Sequence, residues 1–167
     1  MLIFFKVVIF LTDKKEASFK EVKELVLSLV KVKRRLLELG IGKNDTITNG
    51  YAQWFCSKKY NLKLNKKENQ GYYENPIFNE RIKIVSKIGS DTNFESIFDG
   101  IFIEKFDYLF IVFINEKTWM IDSIYKVPCN VVKDFLSLDQ KNSFQWKRET
   151  RSLSLQIYPD EEHMILL

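Results

Sequence analysis

The chain has 167 residues, enough for one domain with a sizeable core. Apolar residues make up 46% and charged residues 29%, which excludes a disordered or fibrous chain. The formal charge of +4 is compatible with a nucleic-acid partner without demanding one, and two distant cysteines, Cys56 and Cys129, give neither zinc-site spacing nor a disulfide framework.

A reducing, cytoplasmic setting is therefore the default. The 14 Phe, 7 Tyr and 3 Trp favour a packed sheet over a helical bundle. The first eleven residues, MLIFFKVVIFL, are too short to span a bilayer and are interrupted by Lys6. They also lack the basic start and small-residue cleavage site of a signal peptide. A buried strand or a lead-in to the first helix is expected there, with no membrane role.

A helix is predicted over 13–39. Phe19, Val22, Leu25 or Val26, Leu29, Val32 or Lys33, and Leu36 recur at intervals of three and four. Ser18 and Glu21 resemble a capping box, and Gly40 and Gly42 end the helix. Gly40 to Lys43 is no phosphate loop, because no Gly-Lys-Ser/Thr spacing follows. Asn49 is expected to cap a second helix running to about Lys59, with Tyr51, Ala52 and Phe55 facing the core. Asn61 to Leu64 reads as a short strand, and 65–70 as a polar loop.

Over 81–88 the residues alternate. Ile82, Ile84, Ser86 and Ile88 share one face, and Arg81, Lys83, Val85 and Lys87 the other. Residues 89–100 read as a loop. Asp107 to Asn115 is a near-continuous apolar strand, as at a sheet centre, with 119–127 as its hairpin neighbour. Pro128 opens what reads as the last helix, Cys129 to Leu136, and Ser152 to Tyr158 alternates as a terminal strand. No linker separates domains, so a single domain over 1–167 is expected, of α/β (α+β) class.

Three segments, taken in order over roughly 20–158, resemble a small bacterial branch of the PD-(D/E)XK restriction-endonuclease-like superfamily. Asn49-Gly-Tyr-Ala-Gln-Trp54 is similar to that branch's Gly-Asp-Tyr-Ala-Glu helix start. Gly71-Tyr-Tyr-Glu-Asn-Pro76 and the strand after it look like its Gly-Tyr-Asp-Ala turn and Gln-Ile-Lys-Ser-Arg strand. Phe106-Asp-Tyr-Leu109 looks like its Phe-Asp-Tyr-Leu central strand. The resemblance implies a central mixed sheet flanked by helices, and a site holding Mg²⁺ on hard oxygen ligands with a Lys to activate water.

Each matching position departs from that pattern. Gln53 stands for the helix Glu, Tyr73 for the turn Asp, Lys83 for the strand Gln and Val85 for the strand Lys. An amide and a phenol beside an ammonium supply no carboxylate, so no Mg²⁺ is expected there and cleavage chemistry is expected to be lost. A site rebuilt from Glu74, Glu80 and Lys83 or Lys87 is the alternative, and Mg²⁺ would return only with it. Asp91, Glu95 and Asp99 lie in the following loop.

The sequence therefore leads to a pseudonuclease that binds DNA or an intact nuclease partner. An active endonuclease with displaced residues, and a protein-interaction or structural subunit whose dimer surface comes from the first helix and the apolar N-terminus, remain as alternatives. The candidate nucleic-acid contacts are Arg81, Lys83 and Lys87 on one strand face, flanked by Lys58, Lys59, Lys63, Lys66 and Lys67. A second group is Lys147, Arg148 and Arg151 within the aromatic-basic stretch Phe144 to Arg151. Each group is also what a solvated face balanced by Glu68, Glu74, Glu80 and Glu149 would look like. His163, the one histidine, has no partner spacing that suggests catalysis, and Cys56 on an apolar helix reads as core.

Overall fold

The computed structural model describes residues 18–42, 46–65, 72–137 and 142–159. The chain divides into two compact units, Met1–Arg35 and Leu36–Leu167. In the first unit, helix α1 (Phe19–Glu38, running three residues past the boundary) starts after Ser18, which was expected inside the helix and instead caps it. The Ser18 hydroxyl accepts from the Glu21 amide at 3.2 Å. Residues 13–17 of the predicted helix lie outside the described residues.

In the second unit, Gly40 (φ 79°) and Gly42 (φ 75°) turn the chain out of α1 in the left-handed region that glycine tolerates. Helix α2 (Ile47–Lys59) follows. Its cap is Thr46, whose hydroxyl accepts from the Asn49 amide at 3.2 Å, and not Asn49, which sits inside the first turn. Gly50 packs against the Gly42 turn so closely that a Cβ there would fall 2.2 Å from the Gly42 nitrogen.

Strand β1 (Lys63–Leu64) pairs with β2 (Tyr72–Asn75), and β2 forms a hairpin with β3 (Glu80–Ile88). Tyr73 is thus a strand residue. The turn is formed by residues 76–79, with the Asn75 side chain accepting from the Ile77 amide at 3.0 Å. A short strand β4 (Ile97–Phe98) lies within 89–100, expected to be loop, and a 3₁₀ turn (Ile103–Lys105) follows it. The crossover returns the chain to β5 (Tyr108–Ile114), parallel to β3. Strand β6 (Ile121–Pro128) pairs antiparallel with β5 across a tight turn.

Helix α3 (Cys129–Asp134) begins after Pro128, as expected, but it is not the last helix. It is followed by β7 (Leu136–Ser137), β8 (Ser143–Gln145), α4 (Arg148–Ser152) and β9 (Leu155–Tyr158). The fold is α/β, with a mixed sheet ordered β1-β2-β3-β5-β6-β9 and a small antiparallel sheet ordered β4-β8-β7.

The seven residues of β5 explain its central place. Leu109, Ile111 and Phe113 enter one core with Val85, Tyr125, Phe144 and Trp146. Phe110, Val112 and Ile114 enter the other with Ala52, Cys56, Ile82 and Ile84, beneath α2. A strand apolar on both sides must be covered on both faces, here by α2 and by the small sheet with its loops. Among the described residues no helix is long and apolar enough to cross a membrane.

Candidate functional site

The four positions matched by the resemblance do not converge. Gln53 on α2 and Tyr73 on β2 meet, with the Tyr73 hydroxyl donating to Gln53 Oε1 at 3.3 Å. Strand pairing decides the rest. Tyr73 faces Ile82, whereas Lys83 faces Tyr72. Directly paired residues share a face of the sheet, so Lys83 and Val85 lie on the side away from α2. Lys83 Nζ sits 5.1 Å from the centre of the Tyr72 ring, and Val85 is buried in the core shared with Tyr72.

The residues that do meet are a neutral amide and a phenol, which do not fit Mg²⁺. Among the described residues no group of three or more His, Cys, Asp or Glu side chains could hold a metal ion.

The alternative set is also dispersed. Glu74 accepts from Asn65 Nδ2 at 2.6 Å and pairs in register with Lys63 and Arg81. Glu80 lies on the α2 side, where Lys126 Nζ reaches both its oxygens at 2.8 and 3.0 Å. The same ammonium rests 3.8 Å from the centre of the Tyr108 ring. Lys87 is exposed and seven residues beyond Glu80 on β3, about 23 Å along the strand and on its other face. Glu74, Glu80 and Lys83 or Lys87 therefore form no common site.

The strand face expected to be a cationic floor is weaker than its sequence suggests. Arg81 is taken up by Asp107, with Nη2 to Oδ1 at 3.2 Å and its own backbone amide to Oδ2 at 2.8 Å. The hydrogen bonds from Arg81 hold the Asp107 carboxyl below its ordinary range. Lys83 and Lys87 are four residues apart, about 13 Å along the strand. Lys66 and Lys67 lie outside the described residues, as do Glu68 and His163.

The second basic segment is more organised. α4 begins after Lys147, whose amide donates to Thr150 Oγ1 at 2.7 Å. Lys147 Nζ lies 5.9 Å from the Phe135 ring centre, and the Arg148 guanidinium carbon lies 5.7 Å from that of Phe94. Arg151 is held by two bonds: Nε donates to the Tyr125 hydroxyl at 3.0 Å, and Nη2 donates to Asp91 Oδ2 at 2.8 Å. The Tyr125 hydroxyl donates to the same Asp91 oxygen. Trp146, fully buried, donates from Nε1 to the Asp91 carbonyl at 2.7 Å.

Burial, and then the Asp91 carboxylate, push the Tyr125 phenol up to about 12. Arg148, Arg151, Tyr125, Ser152, Ser154 and Gln156 line a cleft of about 320 Å³. Sequence reasoning named Arg148 and Arg151, but it assigned no site role to Tyr125, Ser152, Ser154 or Gln156 and left Asp91 in a loop. No spacing links them, because Asp91 and Arg151 are 60 residues apart.

The cysteines are not placed for chemistry. Burial pushes the Cys56 thiol up to about 12, far from a reactive thiolate. Cys129 Sγ donates to the Ile103 carbonyl at 3.2 Å. No protein-family model matches the chain, and no curated protein matches it.

Proposed function

We propose that this chain is a restriction-endonuclease-like protein that has lost metal-dependent cleavage and binds nucleic acid through its basic side chains. The observation that carries this reading is the Tyr73–Gln53 hydrogen bond, with Lys83 and Val85 on the opposite face. Where the resemblance implies acidic ligands, two neutral side chains bind one another, and nothing there draws a dication. The mixed sheet, with α2 packed on β3, is the kind of frame the resemblance implies. A fold of this kind does not by itself specify activity.

Nucleic acid is favoured over a protein partner because the cations on α4 are presented beside aromatic rings. The test is cleavage of plasmid and single-stranded DNA in Mg²⁺ or Mn²⁺, with retention measured in parallel. Wild type should not cleave and should retain DNA in a salt-dependent way. An Arg148→Ala variant should retain less, and a Lys83→Ala, Lys87→Ala variant should lose less than Arg148→Ala does. Metal-dependent nicking would overturn the loss of catalysis. Absence of any salt-dependent retention would overturn the binding.

A further inference from the structure

We propose that the cleft between α4, β6 and β9 is a seat for a phosphate group, gripped by the guanidinium groups of Arg148 and Arg151. This rests on the nucleic-acid reading above and says where that ligand is held.

Arg148 and Arg151 are three apart on one helix, so their side chains are neighbours, with about 5–6 Å between Cβ atoms. Two planar forks at that separation can straddle a single group. Arg151 is already aimed. Its Nε is fixed by Tyr125 and one Nη2 hydrogen by Asp91, while Nη1 meets no partner among the described residues. Because two of its donors are held in place, less conformational freedom is lost when the remaining ones take a ligand. The Tyr125 ring centre lies 5.7 Å from the guanidinium carbon.

Charge favours an anion. Asp91 offsets one of the two guanidiniums, but it stands behind Arg151 and does not line the cleft. Arg148 has no carboxylate partner among the described residues, so the cleft keeps a net positive charge. Its lining carries no acidic side chain that would invite a metal cation, and it is too polar for an apolar ligand.

A carboxylate has only two oxygens and is satisfied by one fork. A phosphate has three or, as a diester, two terminal oxygens plus bridging ones, and engages both. The Ser152 hydroxyl now donates to the Glu149 carbonyl at 2.8 Å, and rotation about its side chain would turn it to an oxyanion at the rim.

The experiment titrates inorganic phosphate into wild type and into Arg148→Ala by calorimetry. In parallel, anisotropy follows matched oligonucleotides with and without a 5′-phosphate. Arg148 is exposed, so its truncation leaves the fold intact, and a melting curve checks this. Saturable binding that weakens about tenfold in Arg148→Ala, and recovers in part in Arg148→Lys, is the expected result.

A preference for the 5′-phosphorylated strand would place a terminal phosphate in the seat, and equal binding an internal diester. Both support the proposal provided Arg148→Ala weakens them. No saturable phosphate binding, or equal affinity in the variant, would overturn the seat even if DNA retention persists through other cations. Phosphate binding without any oligonucleotide binding would keep the seat and overturn the nucleic-acid reading.

Discussion

Asp91→Ala tests the Asp91–Tyr125–Arg151 network most directly. The carboxylate accepts from a phenol that is 2% exposed and from a guanidinium whose side chain is 39% exposed. A hydrogen bond to a charged partner contributes about 1.5–3 kcal/mol. The share from Arg151 is discounted, because water replaces the carboxylate at a group this open.

Tyr125 is different. Buried, it has only Gln156 Oε1 at 3.1 Å to turn to. Trp146 is unaffected by the substitution, since it bonds the Asp91 main chain. The net loss is then about 2 kcal/mol, which for a chain of this size lowers the melting temperature by about 4–8 °C. Asp91→Asn keeps an acceptor for Tyr125 and loses only the charge, so about half the effect is expected. Thermal and urea melts of both variants measure this. An Asp91→Ala protein that melts within a degree of wild type would refute the reasoning, as would an Asn variant as damaged as the Ala variant.

Gly50→Ala should cost about 1–3 kcal/mol or more, because the added methyl meets backbone rather than a yielding side chain; an unchanged urea midpoint would contradict the close approach to Gly42. Tyr125 should be among the last tyrosines to ionise. Its phenol is raised from 10.0 to about 12, so its contribution to stability is fully present below pH 10.0 and lost as pH rises toward 12. In Tyr125→Phe that alkaline loss should shrink, and identical pH profiles in the two proteins would count against it. Millimolar Mg²⁺ should leave the melting temperature unchanged; a rise that Gln53→Ala removes would restore a metal site at α2.

The sequence made some elements legible and hid others for physical reasons. β5 was readable because seven apolar residues in a row leave few alternatives, and β3 because its residues alternate. β2 was missed because Tyr-Tyr-Glu-Asn is too short for a period to register, and its place in the resemblance read as a turn. α4 has five residues, below one and a half helical turns, so Phe144 to Arg151 looked like an irregular basic stretch.

The meeting of Gln53 with Tyr73 comes from α2 packing over the sheet beside β2. Lys83 was set against it on pattern alone, and pairing register then placed it with Tyr72 on the other face. The cleft was illegible for a different reason. Its groups come from the crossover, from β6 and from the α4–β9 segment, and only tertiary docking brings Asp91 to Arg151.

The order of strands in the main sheet also decides which strand could template association with another chain. The strand richest in apolar residues is flanked on both sides by long neighbours, and the outermost described strands are short, two residues in β1 and four in β9. Short edges offer few unpaired backbone groups for another molecule to extend. Within the main sheet the aggregation hazard therefore resides in β5, and it becomes accessible only if β3 or β6 detaches. A substitution that loosens the β6–β9 side, where the register already shifts between Ile124 and Tyr125, would show itself as precipitation on mild heating before any loss of ligand affinity.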